Sequence, residues 1–239
     1  MPAAGPDSEP GLEQLRRAAA EVKERIEQAR SRGGRQPVSL LCVTKGHPAD
    51  RIRQAAALGF TEFGENYVQE CAEKAKLQPG MSWHLIGHLQ RNKVSRAASL
   101  FAVVETVHSL RLAEQLSRAR LQGEPLPILC EVDFTDIPGR NGFRPEELVA
   151  AAPALIALPG VRFMGLMTVA DPASPQRCFS QCRALRDRLV GELGQPLPVM
   201  SMGMSDDFEL AIAEGSTEVR LGSALFGPRP PRSHELSRH

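Results

Sequence analysis

The chain has 239 residues, 42% of them hydrophobic and 24% charged, with a formal net charge of +1. That length fits one large domain or two small ones, and that balance is the balance of an ordinary soluble globular protein. The missing basic excess argues against a dedicated polyanion binder, so Arg16-Arg17 and the cluster Arg91, Lys93, Arg96 read as solvated helix faces rather than a nucleic-acid surface.

The N-terminal residues 1–9 and the tail 229–239 are rich in Pro, Ala, Ser or charge and are expected to be disordered, leaving one domain over 10–228. Leu12, Leu15, Ala19, Val22 and Ile26 recur at helical spacing, which predicts a helix over about 10–32, stopped by Gly33-Gly34. "VSLLCVTK" follows, apolar on both faces as a buried parallel strand reads. Pro48 opens a helix to about Leu58, ended by Gly59. "TEFGEN" is a short strand, and a helix runs from about Tyr67 to Leu77. "SWHLIG" is a strand before a helix over Arg91 to Leu100, and "FAVVETV" a strand before a helix capped by Ser109 and reaching about Leu121. "PILCEVDF" is a strand, and Pro145 opens the next helix, to about Leu158. "VRFMGLMTV" precedes a helix from Ser174 to about Leu193. "VMSMG" precedes a short helix capped by Ser205 and ending near Gly215, and "EVRLGSALFG" is the last strand.

Eight short strands alternating with helices predict a single (β/α)₈ barrel. The first helix has no strand before it and the last strand has no helix after it, so the extra N-terminal helix is expected to pack where an eighth would lie. An open doubly wound sheet is the competing fold, weakened by the lack of a GxGxxG after the first strand.

A barrel of this kind works where its strands end. The first strand ends on Lys45, which either snorkels to water or stands desolvated as a Schiff-base amine. The second ends on Asn66, a ligand donor or a helix cap. His84 on the third strand reads as a satisfied core histidine. Met167 ends the sixth, against a flat ring or as core filler. The seventh and eighth strands place Ser201, Gly203, Gly222 and Ser223 in the two loops where barrels often hold phosphate, although either loop alone reads as turn chemistry. Asp206-Asp207 would repel an anion if close. Arg220, inside the last strand, needs a partner, either a ligand atom or a buried carboxylate such as Glu65. A lysine, an arginine and an anion cradle together suit an aldehyde with a phosphate arm, and pyridoxal 5'-phosphate (PLP) has that shape.

The five cysteines, at 42, 71, 130, 178 and 182, form no CxxC pair, so free thiols in a reducing compartment are expected, with no metal site. "MPAAGPDSEPG" lacks the regions of a signal peptide, and the longest uncharged stretch, Leu148 to Val161, holds two prolines and is too short to span a bilayer. A cytoplasmic protein is expected, with no membrane or nucleic-acid partner.

"VTKGHP", "FGENYVQE", "WHLIGHLQRNK", "GLM", "SMGMSDD" and "GSTEVRLGSALFG" in this order resemble the YggS/PROSC family of pyridoxal phosphate homeostasis proteins, over about residues 10–228. The resemblance implies a barrel similar to the N-terminal domain of alanine racemase. It implies PLP held as an aldimine of Lys45, with Asn66 lining the pocket, Arg220 facing the pyridine nitrogen, and Ser201, Gly203, Gly222 and Ser223 holding the phosphate; Met167, from the strand-end reading, joins that set. It further implies a monomeric cofactor-binding protein without turnover of its own, with amino acids or PLP-dependent apoenzymes as recipients; the alternative is a weak amino-acid racemase. Gly46-His47 after the lysine, and Arg140-Asn141 in the loop "DFTDIPGRNGF", depart from the family's pattern.

Overall fold

Strand and helix alternate until the sheet closes on itself. The computed structural model describes residues 9–33, 36–135 and 137–228. Helix α1 (Glu9–Arg32) leads into β1 (Ser39–Val43), α2 (Ala49–Ala57), β2 (Glu62–Glu65), α3 (Val68–Leu77) and β3 (Ser82–Leu85). Then follow α4 (Val94–Leu100), β4 (Val103–Val107), α5 (Leu110–Ala119), β5 (Leu126–Glu131), α6 (Pro145–Ile156) and β6 (Val161–Met167). The chain continues through α7 (Pro175–Leu193), β7 (Val199–Ser201), α8 (Phe208–Ala213), β8 (Glu218–Leu221) and α9 (Ser223–Phe226). The strands form a closed parallel barrel in chain order, sealed where Ser39 to Cys42 of β1 lie beside Glu218 to Leu221 of β8. This is the predicted (β/α)₈ architecture, and the closure excludes the open sheet.

Local chemistry explains two of the helix starts. Ser109 caps α5, its Oγ accepting from the Leu112 N–H at 3.3 Å. Pro145 opens α6, where its missing N–H costs nothing. Leu15, Val22 and Ile26 on α1 are buried, each side chain contributing about 1.5–3 kcal/mol by burial. They seat α1 against α8 and α9, an Arg25–Glu209 ion pair at 2.6 Å tying the outer edge. The extra helix thus closes the outer ring.

Three expectations need correction. The helix predicted from Arg91 begins as a 3₁₀ turn over Arg91–Lys93. The last strand ends at Leu221, and "SALF" is helical: the Gly222 carbonyl accepts from both Leu225 and Phe226 N–H groups, which turns their side chains into the core. A four-residue apolar run carries no period with which to tell the two apart. Ser205 does not cap α8; its hydroxyl accepts from the Ala224 N–H at 3.1 Å and ties the β7–α8 loop to α9. The expectations of disorder for the termini fall on residues outside the described ones, apart from Glu9, the first residue of α1. The five cysteines are free and buried. Among the described residues no helix is long and apolar enough to cross a membrane.

Candidate active-site cavity at the C-terminal mouth of the barrel

All strands run the same way, so their C-terminal ends gather at one mouth. A cavity of about 420 Å³ opens there, within the range of small-molecule sites. Of the residues singled out from the sequence, it gathers Lys45, Met167, Arg220, Gly222 and Ser223.

Lys45 is half-buried on the turn after β1, at the cavity wall. The turn is fixed from beneath. Thr44, fully buried, donates its hydroxyl to Glu65 Oε1 at 2.6 Å. Lys74 Nζ, reaching in from α3, donates to the Thr44 carbonyl at 2.7 Å, to Glu65 Oε1 at 2.6 Å and to Glu70 Oε1 at 2.7 Å. The Gly46 N–H donates to the same Glu70 oxygen at 2.7 Å. Backbone on both sides of Lys45 is therefore held by one buried ion cluster. Burial pushes the Glu65 carboxyl above its ordinary range, against the opposing charge and hydrogen bond of Lys74 and the Thr44 hydroxyl. An apolar strand thus ends on a lysine because the turn presents that lysine to a cavity, while a second lysine neutralises the carboxylate below.

Arg220 has other partners than Glu65. Its guanidinium donates to the Ser201 carbonyl at 2.6 Å, to Ser201 Oγ at 2.8 Å and to the Thr168 carbonyl at 2.8 Å. Ser201 Oγ in turn donates to Glu105 Oε2 at 2.6 Å, and Glu105 Oε1 pairs with His84 Nδ1 at 2.7 Å. Strands β4 and β7 are not neighbours, so this chain of bonds crosses the barrel interior. Burial opposes the charge on both members of the His84–Glu105 pair, but their mutual hydrogen bond and attraction win. The imidazole is held above its usual range and the Glu105 carboxyl below its own. Glu218, beside them, is pushed up to about 8 by burial and by the Glu105 charge. His84 is indeed a satisfied core histidine.

The β7 half of the expected anion cradle lies elsewhere. Ser201 is fully buried beneath Arg220 and does not reach the cavity. Gly203 is also buried; at φ +97° a Cβ would come within 2.7 Å of Ala211 Cβ and 2.9 Å of Phe208 Cα, so it admits α8 against β7. The loop reaches the cavity through Met204, Ser205 and Asp206 instead. On β8, a Cβ on Gly222 would press on the Val43 carbonyl at 3.2 Å, against the cavity wall. Asn66 neither lines the cavity nor caps α3, whose N-cap is Tyr67. Its Oδ1 is buried without a hydrogen-bond partner among the described residues. Asp206 does face the cavity, an acidic neighbour for any anion there.

His47, singled out in the sequence as a departure from the family's pattern beside the lysine, is a wall residue of the cavity. It is buried, with its ring tilted on Phe226 at 5.2 Å between centroids. Its place two residues after Lys45 on the same turn was the available signal. The sequence reading missed Lys74, although Glu70 and Lys74 stand at the i,i+4 spacing of a helical ion pair.

Ser201→Ala removes an acceptor from Arg220 and a donor from Glu105. It should cost about 1–3 kcal/mol, read as a lower urea midpoint; an unchanged midpoint would show that Arg220 stands without the hydroxyl.

Fold and cavity define the class of barrel represented by the N-terminal domain of alanine racemase, whose family profile matches residues 18–230. The chain is 41% identical to the pyridoxal phosphate homeostasis protein of Pseudomonas aeruginosa over 217 residues, covering 88% of this chain and 94% of that one. It is 38% identical to the protein of the same name from Escherichia coli K12, with the same coverage. The chain belongs to the pyridoxal phosphate homeostasis protein family. PipY of Synechococcus elongatus, 38% identical and solved without PLP, superposes with a TM-score of 0.78 over 85% of this chain and 99% of its own; the form with PLP bound gives 0.75. An alanine racemase of Clostridium difficile, 16% identical with a TM-score of 0.72, shares the fold.

Proposed function

We propose that this protein binds PLP at the C-terminal mouth of the barrel, keeps it through a covalent bond from Lys45, and serves intracellular PLP homeostasis without turnover of its own. The observation that carries the reading is one cavity that presents an amine, Lys45, and a fixed guanidinium, Arg220, beside the glycine-and-serine edge of Gly222 and Ser223. The family names and the PLP-bound PipY support the ligand. The residues fit the group chemically. Lys45 would hold the group through its amine, a nucleophile for an aldehyde that would give up its oxygen as water. Met167 offers an apolar, polarisable surface to a flat ring. Gly222 and Ser223 with Ser205 offer polar atoms to an anionic arm. Ser201, beneath Arg220, is a positioning residue, and Gly203 shapes the loop.

Once bound, the cofactor supplies an electrophilic carbonyl and, where its ring nitrogen is protonated, an electron sink. Arg220 works against the second. A guanidinium only donates hydrogen bonds, and its hold on Ser201 and Thr168 fixes it as a donor. A ring nitrogen held against it would stay unprotonated, which would weaken carbanion chemistry and leave imine exchange with amines open. Amino acids and apoenzymes are the recipients this chemistry allows.

Borohydride reduction of protein loaded with PLP, followed by peptide mass analysis, should place one pyridoxyl group on Lys45. A label on another lysine would overturn the covalent assignment. Deuterium at the α-carbon of a panel of amino acids should wash out no faster than with Lys45→Ala; faster wash-out would establish a racemase-like enzyme.

A further inference from the structure

A second cavity, of about 530 Å³, opens at the opposite, N-terminal mouth of the barrel, where Ser39, Glu62, Ser82 and Thr217 stand at strand starts. His84 and Glu218 line its floor. Behind them lies Glu105, fully buried. One ligand atom from each of His84, Glu105 and Glu218 falls within 4.8 Å of the other two. His84 Nδ1 is 2.7 Å from Glu105 Oε1 and 3.7 Å from Glu218 Oε2. Tetrahedral bonds of about 2.0–2.1 Å set ligand atoms roughly 3.3 Å apart, so the His84–Glu105 distance would widen and the His84–Glu218 distance shorten by about half an ångström each to admit an ion. Independently of the cluster, Glu218 Oε1 is buried with no hydrogen-bond partner among the described residues, on a side chain only 8% exposed. A carboxylate oxygen in that position lacks the cation or donor its burial calls for.

We propose that His84, Glu105 and Glu218 form a divalent transition-metal site at the N-terminal mouth, with the cavity as its entry path and the source of a fourth, water ligand. One imidazole and two carboxylates are a donor set suited to Zn²⁺ or Co²⁺. Binding displaces the protons of His84 Nδ1 and Glu218 to solvent, after which two carboxylate charges balance one divalent ion. Glu105 is already oriented by the Ser201 hydroxyl on its other oxygen, as the ligands of metal sites commonly are. Arg162 on the cavity rim and Arg220 beyond Ser201 are the cations near it; the second also orients Ser201. The site opens at the opposite mouth from the cofactor cavity and is joined to the Arg220 wall of that cavity only through Ser201.

The test is Co²⁺ titration of chelator-treated, PLP-free protein. One Co²⁺ per chain with visible d–d absorption is expected, displaced by Zn²⁺. Glu218→Gln keeps the side chain's shape, and it should weaken Co²⁺ binding by about 10²-fold or more. His88→Ala, at the stacked His88–His108 pair, should leave it within about twofold, the scatter of an uninvolved residue. Binding that survives Glu218→Gln or disappears with His88→Ala would overturn the site, as would no stoichiometric binding. Should Glu218→Gln fail to fold, X-ray absorption of the Zn²⁺-loaded protein decides: nitrogen and oxygen ligands are expected, and sulfur would assign the ion to the cysteines.

Discussion

Lys45→Ala should yield a folded protein that carries no pyridoxyl group after borohydride treatment. Its retention of PLP on gel filtration should fall by about 10²-fold or more, roughly 2.7 kcal/mol of binding. The fold should survive because the turn is held by Thr44, Gly46, Glu65, Glu70 and Lys74 rather than by the lysine side chain. Lys45 itself is half-buried at the cavity wall, so removing its side chain should cost about 1 kcal/mol or less. Lys45→Arg separates two roles. Arginine keeps the positive charge and cannot act as the amine nucleophile at any accessible pH. If the amine is what matters, the arginine variant loses the adduct as completely as the alanine variant does while keeping some non-covalent affinity for the anion. Full retention in both variants, with an unchanged absorption spectrum, would remove Lys45 from the site.

The barrel was legible in the sequence because period decides it. A run such as "SLLCV", apolar on both faces, reads as a covered strand, and the regular alternation of short β-forming runs with helices leaves little topological choice. Strand ends were legible for the same reason, which is how Lys45, Met167, Arg220, Gly222 and Ser223 were picked out and how all of them come to line one cavity. Depth was not legible. Ser201 and Gly203 sit on a strand end like Gly222, yet Ser201 points below Arg220 and Gly203 is sealed by α8. Nothing in "SMGMSDD" shows that β7 is only three residues long and that its loop, not its end, reaches the mouth. Long-range polar partners were equally hidden. Glu105 meets Ser201 across 96 residues of chain and Lys74 meets Thr44 across 30, so of the two partners open to Arg220 in the sequence, Glu65 is taken by Lys74 instead.

Replacing Lys74 by methionine should destabilise the protein by about 3–5 kcal/mol at neutral pH, the usual consequence of removing one member of a buried ion pair. The lysine side chain is 8% exposed and Glu65 fully buried, so no water replaces the lost ammonium. Three hydrogen bonds go at once, to Thr44, Glu65 and Glu70. The pH dependence distinguishes this from lost packing. The Glu65 carboxyl is raised in the folded state by burial even with Lys74 present, and without that cation it rises further. A carboxyl with a raised folded pKa gives its stability in full below the unfolded value, about 4.3, and loses it as pH climbs through the folded one. The deficit should therefore be greatest at neutral and alkaline pH and shrink as acid protonates Glu65. Urea midpoints across that range check it, each compared with wild type at the same pH. Adding Glu65→Gln to Lys74→Met should recover much of the loss, since the stranded charge is gone. A deficit that ignores pH and is not relieved by the second substitution would assign the whole effect to packing. The same variant bears on function, because the turn that Lys74 holds is the one that carries Lys45. With the Lys74 bond gone, the Thr44 carbonyl keeps only the His47 N–H at 2.9 Å, and the turn that carries Lys45 is held less firmly. PLP retention should then fall even in acid, where the fold itself is restored, because protonating Glu65 does not return the bond from Lys74 to Thr44.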